Sequence, residues 1–454
     1  MRHLFYCASK GAVQSHAVEN DAVAERMRED WNRRAREDAH YYVAFGRHDQ
    51  DEEEFYATAY ETVYGLEYEL KRFARNANRR AWRALEIGCG PGRLMRPLSR
   101  HFGEIHGVDV SDEMIALARQ RLRDIPHAHP HVSYGADLRQ FADESFDLVY
   151  SYAVFQHIPD RAVVMSYLQE ARRVLKIGGL FWFQVNGLPE ADAPPDTWNG
   201  VKFRPEEVVA FANENDFQMY TLEGVNSQYM WTSLRKRPDG WFASLPQTAP
   251  EPDTRIRHIA NPHGTEPGVP CGGRFAVASL WTERLPEECG LNHLTCEIAG
   301  QPARPNYIAP RLPGGEQQIN VVLPEQVPTG LVPVRLFWLG RPLGQEAIMR
   351  VVPASPQVPR LISVTDAGDL MLGTRIASGA VKVVFEEVSR VEDVAVQLDG
   401  RTAQPSIVHW ADRRTPRVEL VYDVKPDGLH RLDVQARRQR WPPVWLEVAA
   451  ILES

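Results

Sequence analysis

The stretch Ala84-Leu85-Glu86-Ile87-Gly88-Cys89-Gly90-Pro91-Gly92 decides how this chain is read. A short apolar run carries an acid, a glycine loop follows, and Arg93-Leu94-Met95-Arg96-Pro97-Leu98 looks like the start of a helix predicted over 91–102. Glycine tolerates positive φ and admits ligand atoms where a Cβ would clash, so strand, loop and helix together suit a nucleotide. A dinucleotide loop needs G-x-G-x-x-G, with pyrophosphate at the helix N-terminus. Here Arg93 stands three positions after Gly90, and Pro91 lacks an amide. The loop is therefore a poor pyrophosphate site and a better one for a nucleoside without phosphate.

Working outward, strands and helices alternate between residues 83 and 237, which predicts a parallel sheet with helices on both faces. Strands are expected at 84–88, 104–109, 132–136, 146–152, 180–185, 217–222 and 229–234. Asp109 ends the second of them, 19 residues after Gly90, close to the roughly 20 that ribose recognition uses. Asp137-Leu138 follows the third strand, where an acid can meet the edge of a base. The fourth leads through Ser151 and Tyr152 to His157. In an open α/β sheet, ligands meet their co-substrates at such C-terminal strand ends.

Five features in order resemble the class I S-adenosylmethionine (SAM)-dependent methyltransferases, in their broad small-molecule branch. They are Glu86-x-Gly88-x-Gly90-x-Gly92, Asp109, Asp137-Leu138, Phe146-Asp147-Leu148-Val149 and Leu175-x-x-Gly178-Gly179, within about residues 80–235. The resemblance implies a Rossmann-like seven-stranded sheet with reversed final strands, and SAM as cofactor. It places Glu86, Gly88 and Gly90 on the methionyl end, Asp109 on the ribose and Asp137 on the adenine. Cys89, Gly92, Val110, Met114, Leu138 and Ser151 complete the implied cofactor-binding set. Cys89 reads as a small apolar filler, not a nucleophile, because no cation flanks it.

His157 admits two readings, a packed structural histidine or a base that takes the acceptor's proton as the methyl arrives. Many methyl transfers need little beyond in-line positioning, because the sulfonium is already activated. The expected reaction moves the methyl of SAM to an O, N or C atom of a small molecule. Ser151-Tyr152-Ala153-Val154 stands where base- and amide-methylating enzymes carry Asn/Asp-Pro-Pro-Tyr, which disfavours those acceptors. A second reading is a non-catalytic SAM-binding interaction protein. A NAD enzyme is disfavoured by Pro91 and Arg93.

Residues 22–78 read as a helical lid on a methyltransferase unit spanning 22–243. A second helix is expected from the acidic stretch 49–54 through Leu66, Leu70 and Phe73. Trp31, Tyr41, Tyr42 and Phe45 are candidates to line one wall of the pocket, and Trp198, Tyr229 and Trp231 another. After Trp241 the composition changes. Leu245-Pro246-Gln247-Thr248-Ala249-Pro250-Glu251-Pro252 reads as a linker, and period-2 alternation then takes over, as in Val332, Val334, Leu336 and Trp338. Residues 254–353 resemble immunoglobulin-like IPT/TIG-type domains. That resemblance is carried by Pro305-Asn306-Tyr307-Ile308-Ala309-Pro310, Gln317-Gln318-Ile319-Asn320-Val321-Val322-Leu323-Pro324 and Val327-Pro328-Thr329-Gly330. Residues 357–454 look like a second β-sandwich. Both are expected to serve as scaffold, partner-docking or self-association surfaces.

A 454-residue chain is long enough for about three domains. Its net charge of −8 lacks the basic excess that nucleic-acid binding needs. The five cysteines form no CxxC pair, and no metal-spaced cluster is visible, so no disulfide framework or metal is expected. No apolar run reaches membrane-span length and no signal peptide is evident, so a cytoplasmic protein is expected.

Overall fold

The computed structural model describes residues 6–44, 50–74, 78–189, 194–246, 254–264, 267–368, 372–412, 416–424 and 428–448. Seven strands form the first sheet: β1 (Arg83–Ile87), β2 (Glu104–Asp109), β3 (Ala128–Val132), β4 (Phe146–Tyr150), β5 (Leu175–Val185), β6 (Phe217–Glu223) and β7 (Met230–Lys236). Their order is β3-β2-β1-β4-β5-β7-β6. The first five are parallel, and β7 runs antiparallel to both neighbours. The order reverses beside β1, which leaves a crevice outside the carboxyl ends of β1, β2 and β4.

The helices around this sheet include α1 (Tyr6–Ala44), α2 (Glu52–Ala57), α3 (Tyr60–Glu69), α4 (Met95–Leu98), α5 (Asp112–Arg121), α6 (Arg161–Val174) and α7 (Pro205–Glu214). Their starts follow local chemistry. Ser111 accepts from the Met114 amide at the head of α5, Asp160 caps α6, and Asp51 with Glu54 makes a capping box on α2. Helix α6 buries Val163, Val164, Tyr167, Leu168, Ala171 and Val174 on one side, the stripe expected of a helix lying on a sheet.

Several boundaries differ from the sequence expectation, each for a physical reason. The helix expected at 91–102 shrinks to α4 and a 3-10 turn at Ser99–His101, because positive φ at Gly88, Gly90 and Gly92 keeps the chain turning before it can coil. The third strand lies at Ala128–Val132, not 132–136, pairing His129 with His106. Pro130 is tolerated because β3 is an edge. Strand β5 follows α6 directly, starting at Leu175 ahead of the Gly178-Gly179 pair. The acidic helix is interrupted between α2 and α3, and the phenylalanine at 73 lies past a 3-10 turn. Helix α1 kinks at Asp38, where φ is −166°.

The remainder of the chain is β-rich. The strands are β8 (Arg255–Ala260), β9 (Val269–Pro270), β10 (Val277–Glu283), β11 (Leu294–Ile298), β12 (Gln301–Ile308), β13 (Gln317–Val322), β14 (Gly330–Trp338), β15 (Arg341–Pro342) and β16 (Ala347–Val352). They form two pairing sets that share β12. Residues 301–303 pair with β11, and 304–308 pair with β13. Val332, Val334, Leu336 and Trp338 alternate inward along β14, as their spacing predicts. Beyond Arg360 a four-stranded and a six-stranded sheet enclose a separate core around Phe385, Leu420, Leu432 and Leu446.

The first two regions are joined edge to edge. Strand β12 pairs with β6 through Tyr307 and Thr221. Asn292 extends the seam, accepting from the Met219 amide at 2.7 Å and donating to the Phe217 carbonyl at 2.9 Å. Gln218 donates to the carbonyls of Glu287 and Cys289. At the centre lies Arg72, its side chain 3% exposed. It clasps Glu69 through Nε at 2.7 Å and Nη2 at 3.0 Å, and donates to the Ile308 carbonyl at 2.7 Å. Its guanidinium sits 4.2 Å from the Tyr220 ring, and Ser233 donates to Glu69 at 2.6 Å.

Candidate active site

The glycine loop is built onto β2. The amides of Gly88 and Cys89 both donate to the Val108 carbonyl, at 2.8 and 3.0 Å. Gly107 permits this closeness, since a Cβ there would lie 2.5 Å from Met95 Sδ and 2.7 Å from Cys89 Cβ. At Gly88, φ is +73° and a Cβ would meet Val154 Cγ2 at 2.2 Å. The loop therefore curls beneath the residues that follow β4.

A cavity opens above it, with about 920 Å³ of atom-free space including the part open to solvent. Glu86, Gly88, Cys89, Gly90, Asp109, Val110, Met114 and His157 line it, so eight of the residues read from the sequence converge. Gly92, Asp137, Leu138 and Ser151 do not line it. Gly92 turns the chain against Leu122. Leu138 is core, and its amide donates to Glu170. Ser151 donates to the Ile87 carbonyl and holds β4 to β1. Asp137 is half-buried and clasped by Arg139.

Of the expected lid residues, Trp31 and Tyr42 line the cavity, joined by Met27 and Val43. Tyr41 packs edge-on to Tyr42, and Phe45 lies outside the described residues. The lid is tied to the sheet by Asn32, which accepts from Ser111 Oγ at 2.6 Å and from the Glu113 amide at 3.2 Å. Trp198 packs on the His157 ring at 5.2 Å, whereas Trp231 stacks on Tyr152 and Trp182 outside the cavity. Tyr229 is exposed.

Sequence reading missed Arg93, Ser133, Tyr152 and Tyr167 as cavity residues. Arg93 was in view, but only as the absence of a third glycine. Ser133 was hidden by the shifted register of β3. Tyr167 lies on α6 at a position that reads simply as core.

Burial sets the charge states. Asp109 accepts from the Gly90 amide at 2.9 Å and the Ser111 amide at 2.9 Å, yet burial still raises its pKa. Glu86 is 3% exposed and accepts from Tyr150 Oη at 2.9 Å. Burial pushes it up to about 8, against the opposing pull of that hydrogen bond and of Arg93. The Cys89 thiol is raised by burial and by its acidic neighbours, which leaves it inert as a nucleophile. His157 is lowered to about 4 by burial. Its Nδ1 lies 2.8 Å from the Trp198 carbonyl, which accepts only, so Nδ1 carries the proton. Nε2 then faces the Gln156 amide at 3.2 Å. Among the described residues, no cluster of three or more His, Cys, Asp or Glu could hold a metal, and no helix is long and apolar enough to cross a membrane.

Residues 85–183 match the family profile described as "Methyltransferase domain". Over 97 residues the chain is 39% identical to phosphoethanolamine N-methyltransferase 2 of Caenorhabditis elegans, covering 21% of this chain and 22% of that protein. Over 100 residues it is 29% identical to ubiquinone biosynthesis O-methyltransferase of Hydrogenovibrio crunogenus, covering 22% and 40%. The chain thus spans well under half the length of these relatives. Among solved structures, geranyl diphosphate C-methyltransferase of Streptomyces coelicolor aligns with TM-score 0.35 and 15% identity, over 47% of this chain and 97% of that one. Residues 85–183 are therefore similar to a methyltransferase domain.

Proposed function

We propose that the protein transfers the methyl group of SAM to an O, N or C atom of a small molecule held beneath the α1 lid. The observation that carries this reading is the convergence of the glycine loop, Asp109 and the lid aromatics on one cavity at the strand-order reversal. The site suits a nucleoside with an amino-acid tail. Gly90 leaves backbone open beneath Val43, where even a Cβ would come to 3.5 Å. Asp109 is a carboxyl placed to meet vicinal hydroxyls. When bound, SAM supplies a methyl already activated by a sulfonium.

The chain's own part is to orient and to dry the site. Trp31, Tyr42, Tyr152 and Val154 give an apolar surround in which a bound acceptor sheds water. Neutral His157, with its proton fixed on Nδ1, presents Nε2 as the one imidazole acceptor on the wall. Displacement of the Gln156 amide would free it to take the acceptor's proton. Its lowered pKa makes it a mild base that stays unprotonated throughout the neutral range.

We read the β-rich regions as two sandwich units of immunoglobulin-like size that stiffen the catalytic unit and offer docking surface. Dependence on SAM fits a cytoplasmic setting. The test is to incubate the protein with methyl-labelled SAM and a metabolite extract. A labelled small product supports transfer, whereas tight SAM binding without product from any extract replaces it with the binding-protein reading.

A further inference from the structure

Beyond Arg360, the six-stranded sheet carries a groove on its outer face, with about 1060 Å³ of atom-free space including the part open to solvent. Strand Gly428–Ala436 runs through it, with Val394–Leu398 on one side and Val444–Val448 on the other. Leu432, Val434 and Ala436 belong to the core, so the alternate residues Arg431, Asp433 and Gln435 face out. Register sets Gln397 beside Asp433, the small Ala395 beside Gln435, and Arg440 on the far side of Gln435. Trp445 stands beside Arg431 and is 54% exposed. Trp441 also lines the groove, its amide donating to the Val434 carbonyl at 3.2 Å.

A single exposed tryptophan needs no explanation. Trp445, however, ends a row of flat polar groups already held in place. Asp433 Oδ1 accepts from Arg431 Nε at 3.2 Å and Nη2 at 2.7 Å, which leaves Oδ2 without a partner among the described residues. Gln435 accepts from Arg440 Nε at 2.8 Å and donates to the Arg437 carbonyl at 2.9 Å. The Gln397 side chain is exposed and makes no hydrogen bond among the described residues. Arg431 and Arg440 are balanced by Asp399 and Asp433, so the groove has no net charge. These groups offer donors and acceptors in fixed planes, beside an indole with an apolar face. A sugar matches both, because each ring presents hydroxyls that donate and accept, and C–H groups that pack on an aromatic face. We propose that this groove binds a neutral oligosaccharide, one ring packed on Trp445 and the next bonded through its hydroxyls to Asp433 and Gln397. Trp445 and Gln397 stand on strands two spacings of about 4.8 Å apart, so the occupant is a chain of rings and not one ring. A nucleic acid would need a cationic surplus, and a peptide strand would seek a sheet edge instead of this face. The groove shares no residue with the cavity at the glycine loop and holds its ligand whether or not that cavity takes SAM.

Titration of the full chain, followed by tryptophan fluorescence and calorimetry, would use neutral hexasaccharides of glucose, mannose, galactose and N-acetylglucosamine at up to millimolar concentration. At least one of them is expected to bind. Trp445→Ala should weaken that binding about tenfold, and Gln397→Ala about threefold. Both side chains are exposed, so neither change removes core packing, and melting followed by circular dichroism checks that the sheet persists. Leu331→Ala, at an apolar residue 75% exposed on another sheet, should leave the affinity unchanged. Failure of every one of these sugars to bind overturns the proposal. So does binding that Trp445→Ala leaves intact, or that Leu331→Ala weakens equally. Oligothymidylate binding more tightly than any of the sugars, with an affinity that falls as salt rises, overturns it in favour of an anionic ligand.

Discussion

Replacing Arg72 by methionine tests the joint between the α/β unit and the β-rich region. The Arg72 side chain is 3% exposed and closes a two-pronged pair on Glu69, which is 4% exposed. Methionine keeps the apolar stem against Tyr220 but removes every donor. Glu69 would keep only the Ser233 hydroxyl, and the Ile308 carbonyl would lose the Arg72 donor. Breaking one side of a buried ion pair costs about 3–5 kcal/mol, mostly from the stranded charge. The single variant should therefore lose about 4 kcal/mol in urea denaturation of the full chain. The double variant Glu69→Gln/Arg72→Met carries no stranded charge and should recover at least half of that loss. Unfolding followed by both tryptophan fluorescence and circular dichroism guards against assuming one transition in a multidomain chain. A single-variant loss below about 1 kcal/mol, or a double variant no better than the single, would refute the idea that this pair holds the seam.

Glu86→Gln should change how stability depends on pH. The native carboxyl titrates at about 8 against an ordinary 4.5, so the folded state holds this proton more tightly than the unfolded chain. Its contribution is full below about pH 4.5 and is lost as pH rises to about 8, which bounds the swing at roughly 5 kcal/mol. Glutamine lacks this titration, so the variant should gain on wild type between pH 5 and 8.5; parallel stability curves reject the burial argument. Gly88→Ala puts a methyl group 2.2 Å from Val154 Cγ2 at positive φ, and S-adenosylhomocysteine affinity should fall more than tenfold. Pairing it with Val154→Ala should restore part of that loss, and no loss in the single variant would contradict the loop geometry. His157→Ala should lower turnover while S-adenosylhomocysteine binding persists, and wild-type turnover should show no His157 titration until pH falls toward 4. Unchanged turnover with the true acceptor removes the base role.

What was legible in the sequence is what local chemistry determines. The loop 88–92, the Ser111 and Asp160 caps and the apolar runs of β1 and β4 each carry their own signal within a few residues. Asp109 was legible because ribose recognition links it to the loop at a fixed distance. Strand β3 was not, because Ala128-His129-Pro130-His131 has the composition of a loop and becomes a strand only by pairing with β2. Asp137 follows β3 by five residues and lies outside the cavity lining, which meets Ser133 instead. Arg93 illustrates a different limit. A charged residue in a helix-like run reads as surface, and only the packing of Tyr152 and Thr58 reveals it as buried.

The seam with the β-rich region had no local signal, since an edge strand is indistinguishable by composition from one that is covered. Its placement nonetheless bears on how the lid works. Glu69 ends α3, within the lid segment, and is held by Ser233 of β7 and by Arg72, which also reaches the second region. The far end of the lid, α1, is instead held to the cofactor side by Asn32 on Ser111 and Glu113, and by Arg28 donating to the Val110 carbonyl at 3.3 Å. Both ends are thus anchored through buried ion pairs, Arg72 with Glu69 at one and, at the other, Arg34 with Asp30 at 3.0 Å and with the Thr197 carbonyl at 3.1 Å. The second region abuts the α3 end and leaves the cavity walls to the first. It therefore braces the α3 end of that segment and does not cover the pocket.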